Sequence, residues 1–397
     1  MTALSKPRSQ PIATHPIALS VLAVLLLVAF YSDVMSSTAL RDEQTYFEAF
    51  EEVREARSPY QVKGFYYFPV FAVAGAVLLD NTGTSWTLAV MRASNLAGLL
   101  AVVWVAMAWL PIRLRYRLAA AAAVLLLAPG VRLGVATGNF SFLATALVLM
   151  GLHVGMRTPL AAGALLGTSI VIKPLAAVAV PMLALQRAKP ALDLRHRALI
   201  IVGAAGAAPM LLVGARFWPG FFAVGSTQLY EVFPISRTVS FHRLLYSAGF
   251  ELAPAWGSLL VLVAALVVAR WRPWTPMQLV CIAIAATTLT SPALWNHTLL
   301  VTLPLQVLAL WILRHRWTSR DIEETSLAFR RRRLLAYEAV AVGAAILAIQ
   351  LSDGVGAFLP QPSPQLFLAL LPPCLAPSAL AAYVATGLER GNAAPLH

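Results

Sequence analysis

The stretch "WTLAVMRASNLAGLLAVVWVAMAWL", residues Trp86–Leu110, is an apolar run of bilayer length. A helix needs about 20 mainly apolar residues to cross the hydrocarbon core, and Arg92 is the only charged residue in this run. Similar runs recur along the 397 residues, of which 59% are hydrophobic and 12% charged. A water-soluble domain cannot cover so much apolar surface, so the sequence predicts an all-α polytopic membrane protein.

The remaining apolar segments predict a transmembrane bundle of about 12 helices. They are Ile17–Met35, Leu118–Ala128, Phe142–Val154, Leu160–Ile172, Leu175–Leu185, Ala198–Val213, Ala255–Val268, Met277–Leu289, Thr298–Leu313, Leu334–Leu351 and Gln365–Ala385. Pro69–Leu79 is shorter and predicts a re-entrant or paired half-helix. No polar block of domain size separates these runs, so we expect one membrane-embedded domain over residues 1–397.

Basic residues beside the apolar runs predict the orientation, because cytoplasmic loops carry an excess of Lys and Arg. Lys6 and Arg8 indicate a cytoplasmic tail over residues 1–16, and Arg330–Arg333 belong to a basic cytoplasmic loop over residues 314–333. The loop 37–65 then lies on the outer side of the membrane. Since the basic residues flank membrane segments, the net charge of +13 indicates contact with anionic lipid rather than nucleic acid.

The first outer loop gathers six of the 17 acidic residues between Arg41 and Tyr60. Apolar residues at helical spacing predict an amphipathic helix over residues 42–57 at the outer surface, ended by Ser58-Pro59. Glu48, Glu51, Glu52 and Glu55 then solvate that helix. Asp42 stands at the helix start and has two interpretations: an N-cap residue, or a general base at the membrane face.

Lys173, within the motif "VIKP" of residues 171–174, lies between two apolar runs. An ionisable group at such depth is a candidate functional residue. The alternative is a lysine whose ammonium reaches the lipid headgroups along an apolar stem. Pro174 interrupts the helix, so the ammonium could face a cavity.

Two shorter motifs predict further parts of an outer site. "FYYFPV", residues 65–70, is either an interfacial aromatic belt or an aromatic wall on which a sugar or lipid stacks. "GNFSF", residues 138–142, is either a simple helix start or a place where helix amide groups bind an anion or hydroxyl.

Two later motifs add basic and aromatic side chains. "SFHRLL", residues 240–245, places His242 and Arg243 before a helix, and "SPALWNH", residues 291–297, places Trp295 and His297 at a turn. Lys173, Arg243 and His297 are all assigned to the outer side, an arrangement that suits one bound anion.

In this order, the motifs resemble the GT-C class of polyprenyl-phosphate-dependent glycosyltransferases. They are most similar to glycosyltransferase family 87, which includes bacterial mannosyltransferases of the PimE type. Gly138 matches the glycine of a family Gly-Gln-x-Asn motif, whereas Asn139 and Ser141 replace its Gln and Asn. The other matching positions are Asp42, Tyr46, Pro59-Tyr60, Tyr67, Pro69, Lys173-Pro174, Ser291, Pro292, Trp295 and His297.

The resemblance implies a GT-C helix bundle in the bacterial inner membrane, with a cytoplasmic N-terminus and an extracytoplasmic active site. The reaction would be an inverting transfer of mannose, arabinose or another sugar from polyprenyl phosphate to a glycolipid or lipid-linked glycan. Asp42 would be the general base. Lys173, Arg243 and His297 would bind the donor phosphate. The expected substrate-binding residues are Tyr46, Tyr60, Tyr67, Asn139, His242 and Trp295.

We expect no metal or other cofactor, because one outer carboxylate with few partners makes a poor cage for a divalent cation. The expected partners are the lipid-linked donor, the acceptor and membrane lipids, with no nucleic acid; the sequence indicates no particular oligomeric state. A flippase or transporter for lipid-linked sugars is the main alternative, since it also needs buried charge and broken helices. Such a protein more often has inverted repeats and charges near the midplane.

Overall fold

A computed structural model gives the fold of this protein, and it describes most of the chain. The described residues are 40–110, 113–128, 131, 134–135, 137–154, 157–173, 177–185, 194–224, 241–250, 254–271, 273–290, 298–318, 326–350 and 364–389. The predicted first helix, Ile17–Met35, and the motif at residues 291–297 lie outside them.

The described residues lie mainly in α-helices. In order, they are α1 (Arg41–Arg54), α2 (Pro69–Ala108), α3 (Leu114–Leu127), α4 (Ser141–Val154), α5 (Pro159–Ile172), α6 (Ala179–Leu185), α7 (Leu194–Ala205), α8 (Trp218–Ala223), α9 (Phe241–Ser247), α10 (Pro254–Trp271), α11 (Pro276–Thr290), α12 (Leu303–Thr318), α13 (Ser326–Gln350) and α14 (Pro364–Glu389). Short 3₁₀ helices are Pro59–Gln61, Ala208–Leu212, Ala215–Phe217 and Thr298–Thr302.

Four described helical segments are long and apolar enough to cross a membrane. They are Pro69–Ala108, Leu299–Trp317, Arg333–Gln350 and Phe367–Leu388. Leu194–Leu212 and Ala215–Ala223 pass the same test together but are bent by 77°. The prediction of an all-α polytopic membrane protein is confirmed. The total of about 12 spans stays a prediction, because four further apolar helices are shorter than a full span.

Helix α2 contains the opening run Trp86–Leu110 almost entirely and is interrupted at Gly83. Gly83 has φ +73° and interrupts the helical geometry between two helical pieces. The first piece, Pro69–Thr82, is about 21 Å long at 1.5 Å per residue, which is less than the roughly 30 Å hydrocarbon core. It corresponds to the short segment that the sequence predicts as a half-helix.

Close helix contacts in the N-terminal half depend on glycine. An added Cβ at Gly163 of α5 would lie 2.2 Å from the Ile200 carbonyl oxygen of α7. In the other direction, an added Cβ at Gly203 would lie 2.2 Å from the Leu160 carbonyl oxygen. Because small residues let helix backbones approach closely, these glycines set the packing of α5 on α7. Helix α5 in turn carries Lys173 at its C-terminal end.

Helix α1 is the amphipathic helix that the sequence predicts after the first apolar run. Tyr46 and Phe50 are buried, whereas Glu48 is exposed. The buried face packs on the first piece of α2 through an aromatic cluster that includes Phe71. The helix ends at Arg54, earlier than the predicted stop at Ser58-Pro59. The chain turns there through Ala56, whose φ is +61°.

Candidate functional site

Asp42 is the second residue of α1 and lies two positions after the N-cap. The N-cap residue is Leu40, whose backbone N–H donates to Glu43 Oε2 at 2.7 Å. The N-cap interpretation of Asp42 is therefore wrong, because Glu43 supplies the oxygen at the helix start. Asp42 Oδ2 instead accepts a hydrogen bond of 2.7 Å from Asn139 Nδ2.

Lys173 lies on the same polar network as Asp42. It is the C-cap residue of α5, and its Nζ donates to Ser141 Oγ at 2.7 Å. Ser141 Oγ is 2.5 Å from Asn139 Oδ1, and the Ser141 backbone N–H donates to the same oxygen at 3.1 Å. Asn139 and Ser141 thus join the predicted base to the predicted phosphate-binding cation.

The start of α4 is fixed against α2 by Asn95. The Asn95 amide nitrogen donates to the Asn139 carbonyl oxygen at 2.7 Å, and its side-chain oxygen accepts from the Phe142 backbone N–H at 3.1 Å. Gly98, one turn further along α2, allows the close approach: an added Cβ there would lie 2.6 Å from the Leu143 Cα. The 139–141 segment is therefore held by α2 at a defined place beside Asp42.

Glu43 and Arg92 form a buried ion pair on the other side of this segment. Arg92 Nε donates to Glu43 Oε1 at 2.8 Å and Arg92 Nη2 donates to Oε2 at 2.7 Å. The two side chains are only 2% and 6% exposed. A bidentate pair of this kind fixes orientation as well as charge. It attaches the first turn of α1 to α2 and so sets the position of Asp42.

Gly138 is required by this arrangement for two reasons. Its φ is +70°, a left-handed conformation that favours glycine. An added Cβ would also lie 2.6 Å from Glu43 Cγ. Gly83 has a similar φ of +73°, but no atom lies within 4 Å of an added Cβ among the described residues.

We expect Gly138→Ala to lower the stability of the protein by more than about 1 kcal/mol, because Ala is strained at positive φ and pushes against Glu43. Gly83→Ala is the matched control, since it carries the backbone strain without the clash. The measurement is the midpoint of thermal unfolding in detergent for both variants. A Gly138→Ala midpoint no lower than that of Gly83→Ala would show that the contact with Glu43 does not matter.

The predicted substrate tyrosines use their hydroxyl groups inside the protein. The Tyr46 and Tyr67 hydroxyls are 3.2 Å apart, and Tyr46 Oη accepts from the Phe140 backbone N–H at 3.3 Å. The Tyr60 hydroxyl donates to the Tyr67 carbonyl oxygen at 2.8 Å. These bonds link α1, the loop before α2 and the start of α4. Substrate contact through these tyrosines stays a prediction.

Burial keeps Tyr46 and Tyr67 neutral. Burial raises the pKa of Tyr46 well above its ordinary value, and the neighbouring Tyr67 and the Asp42 carboxylate raise it further. Burial is also the largest cause of the raised pKa of Tyr67. Both hydroxyls therefore keep their protons and can donate as well as accept hydrogen bonds.

The aromatic motif at residues 65–70 forms a packed cluster rather than an open wall. Tyr67 and Phe71 stack with ring centroids 4.5 Å apart, and Phe68 packs edge-on against Phe221 of α8 at 5.0 Å. Phe65 is buried as well. The Lys173 ammonium lies 5.6 Å from the centre of the Tyr67 ring, within the range of a cation–π contact. The cluster therefore contacts the Asp42–Lys173 network at Lys173.

The remaining predicted site residues belong to later helices and turns. Arg243 is buried on α9, a helix that packs against α14 near Leu370 and Cys374. The side chain of His242, and all of Trp295 and His297, lie outside the described residues. The roles of these four residues stay predictions. The structure does bring together Asp42, Asn139 and Lys173.

Three residues of the site were missed in the sequence: Glu43, Arg92 and Asn95. Arg92 and Asn95 could have been predicted as site residues. They are polar and three residues apart, so they lie on one face of an otherwise apolar helix. Glu43 gave no such signal, since its partner is set by tertiary packing, and Ser141 was visible only as part of the motif at residues 138–142. Over the part of the chain that the structure describes, no group of three or more His, Cys, Asp or Glu side chains could hold a metal.

The fold and the site define a polytopic helical membrane protein in which a carboxylate and an ammonium share one network at helix ends. A sequence model of glycosyltransferase family 87 matches residues 65–294, more than half of the chain. The chain therefore belongs to glycosyltransferase family 87 and is a glycosyltransferase. The matched range includes Asn139 and Lys173, begins after Asp42 and ends before His297. No curated protein and no solved structure matches the chain.

Proposed function

We propose that this protein transfers a sugar, mannose as the first candidate, from a polyprenyl-phosphate donor to a glycolipid or lipid-linked glycan. The reaction takes place at the outer face of a bacterial inner membrane, in a bundle of GT-C type with a cytoplasmic N-terminus. The observation that carries the proposal is the single network from Asp42 to Lys173. During such a transfer the acceptor hydroxyl loses a proton and the leaving phosphate gains negative charge. The carboxylate of this network can take the proton, and its ammonium can balance the charge.

Asp42 supplies the base in this proposal. The acceptor hydroxyl oxygen bonds to the anomeric carbon as the bond from that carbon to the phosphate oxygen breaks. The hydroxyl proton goes to Asp42, and the leaving phosphate keeps the electron pair of the broken bond. Asn139 donates a hydrogen bond to Asp42 Oδ2, whereas none of the described residues donates one to Oδ1. A single displacement of this kind inverts the anomeric configuration.

Lys173 supplies the positive charge for the leaving group. The donor phosphate is a diester with about one negative charge, and it gains about one more as it leaves. A lysine ammonium has three N–H donors, of which Ser141 accepts one. The others can bind phosphate oxygens in a half-buried place, where charge interactions are stronger than in water. Arg243 and His297 are proposed as additional phosphate ligands.

The membrane fold supports a lipid-linked donor. Asp42 and Lys173 lie at the ends of helices α1 and α5, next to the apolar helix α2. A polyprenyl chain can remain in lipid while its phosphate reaches such a site. We propose that the reaction proceeds without a metal, with Lys173 providing the charge neutralisation.

The proposal is tested with purified protein in lipid nanodiscs, a radiolabelled polyprenyl-phosphate mannose donor and extracted membrane lipid as acceptor. We expect a new labelled glycolipid whose formation is unaffected by a metal chelator and whose anomeric configuration is inverted relative to the donor. Transfer from a nucleotide sugar but not from the lipid-linked donor would overturn the proposal. Movement of the lipid-linked sugar across proteoliposomes without any new glycoside would identify a flippase.

A further inference from the structure

The direction of each hydrogen bond between Lys173 and Asp42 follows from the chemistry of its donor. A backbone N–H can only donate, so the Asn139 atom that faces the Ser141 N–H at 3.1 Å must be the side-chain oxygen. The amide nitrogen of Asn139 therefore faces Asp42, and it donates to the carboxylate at 2.7 Å. This orientation of the amide is fixed by its neighbours.

The Ser141 hydroxyl is oriented in the same way. A lysine ammonium can only donate, so Ser141 Oγ accepts from Lys173. The one hydroxyl proton of Ser141 then goes to Asn139 Oδ1, 2.5 Å away. All three bonds thus run in one direction, from the cation to the carboxylate. Hydrogen bonds aligned in this way polarise and strengthen one another.

We propose that Asn139 and Ser141 are positioning residues that hold Asp42 and Lys173 in their reactive orientations, an inference that rests on the proposed function. Asn139 restrains Oδ2 of Asp42, which leaves the other carboxylate oxygen directed to the acceptor hydroxyl. Ser141 restrains one N–H of Lys173, which directs the others to the donor phosphate. In this role both residues act through Asp42 and Lys173 rather than on the reacting atoms.

Neighbouring residues hold this chain of hydrogen bonds in place. Ser141 is fully buried, and Asn95 of α2 holds the backbone on both sides of it, at Asn139 and Phe142. The nearby charged pair, Glu43 and Arg92, is joined by two hydrogen bonds, and Glu43 also accepts from the Leu40 backbone N–H. That pair holds the first turn of α1 in place, whereas the Asp42 carboxylate itself is bonded by Asn139.

The test compares Asn139→Ala, Ser141→Ala and the double variant in the transfer assay. We expect each single variant to lower kcat roughly 10- to 100-fold, because a small misplacement of a reacting group costs this much. The donor KM should change far less than kcat. Asn139 and Ser141 belong to one chain of hydrogen bonds, which is broken when either residue is replaced. The double variant should therefore lose no more kcat than the single variant with the larger loss.

Thr145→Val is the matched control. Thr145 lies one turn after Ser141 on α4, is buried, and its hydroxyl has no hydrogen-bond partner among the described residues. We expect this variant to keep wild-type kcat. Each variant is checked by thermal unfolding in detergent, and Asn139→Leu, which preserves side-chain volume, replaces Asn139→Ala if the latter does not fold.

Two results would overturn the inference: a wild-type kcat in both alanine variants, or a loss in the double variant that equals the product of the single losses. Both require an active wild-type protein. A wild-type protein that forms no glycoside contradicts the proposed function instead, so the two failures are distinguishable.

Discussion

Replacing Asp42 by Asn is expected to lower kcat for sugar transfer about 10²- to 10⁴-fold, the usual contribution of a general base. Asn has the size of Asp, and its side-chain oxygen can still accept the hydrogen bond from Asn139. It cannot take the proton of the acceptor hydroxyl. The fold and the donor KM should therefore change little, while the initial rate at saturating donor falls. The measurement is the rate of labelled glycolipid formation by the purified variant.

Glu48→Gln is the matched control for this variant. Glu48 is exposed on the same helix, and its replacement makes the same chemical change at a place away from the network. We expect wild-type kcat. A wild-type rate in Asp42→Asn, or an equal loss in Glu48→Gln, would show that Asp42 is not the base.

Replacing Lys173 by Met is expected to lower kcat about 10²- to 10³-fold, as the loss of one group that stabilises developing charge does in other enzymes. Met fills a similar space but carries neither charge nor N–H donors. The effect arises because the leaving phosphate gains negative charge that Lys173 no longer balances. The donor KM should also rise, since the phosphate already carries charge before the reaction. Both constants come from initial rates measured over a range of donor concentrations.

Lys63→Met is the control, because Lys63 is exposed in the loop between α1 and α2. It removes the same charge from the same region of the chain. A similar loss in both variants would indicate a general electrostatic effect on donor approach. A normal rate and donor KM in Lys173→Met would remove Lys173 from the site.

The fold class could be predicted because helix length and apolarity are local properties. The run Trp86–Leu110 satisfies the length requirement of a bilayer by itself, and α2 contains nearly all of it. Helix ends were less predictable. Helix α1 stops at Arg54 because the chain turns at Ala56, and neither residue is a recognised stop signal. The break at Gly83, by contrast, falls between the two apolar runs Pro69–Leu79 and Trp86–Leu110, which the sequence already separates.

The charged centre of the site could be predicted in part. Asp42 and Lys173 are ionisable residues at the ends of apolar segments, which makes them conspicuous in the sequence. Their connection could not be predicted, because it depends on how closely α4 approaches α2 at Gly98. Asn139 and Ser141 were visible as a helix start, whereas their role as a bridge follows from tertiary packing.

The N-cap alternative for Asp42 is wrong for a specific reason. An acidic residue before a predicted helix is a common N-cap, but here Glu43 bonds the Leu40 N–H from within the first turn. Asp42 is left to bond Asn139, outside its own helix. Two adjacent acids thus have different tasks: Glu43 pairs with Arg92 in the protein interior, and Asp42 faces the polar network.

A cryo-electron microscopy structure of the protein with bound polyprenyl phosphate tests the central claim most directly. We predict that a phosphate oxygen lies within hydrogen-bond distance of Lys173 Nζ, with Asp42 on the side from which an acceptor reaches the anomeric carbon. A phosphate bound elsewhere, with the Asp42–Asn139–Ser141–Lys173 network remote from it, would contradict the account.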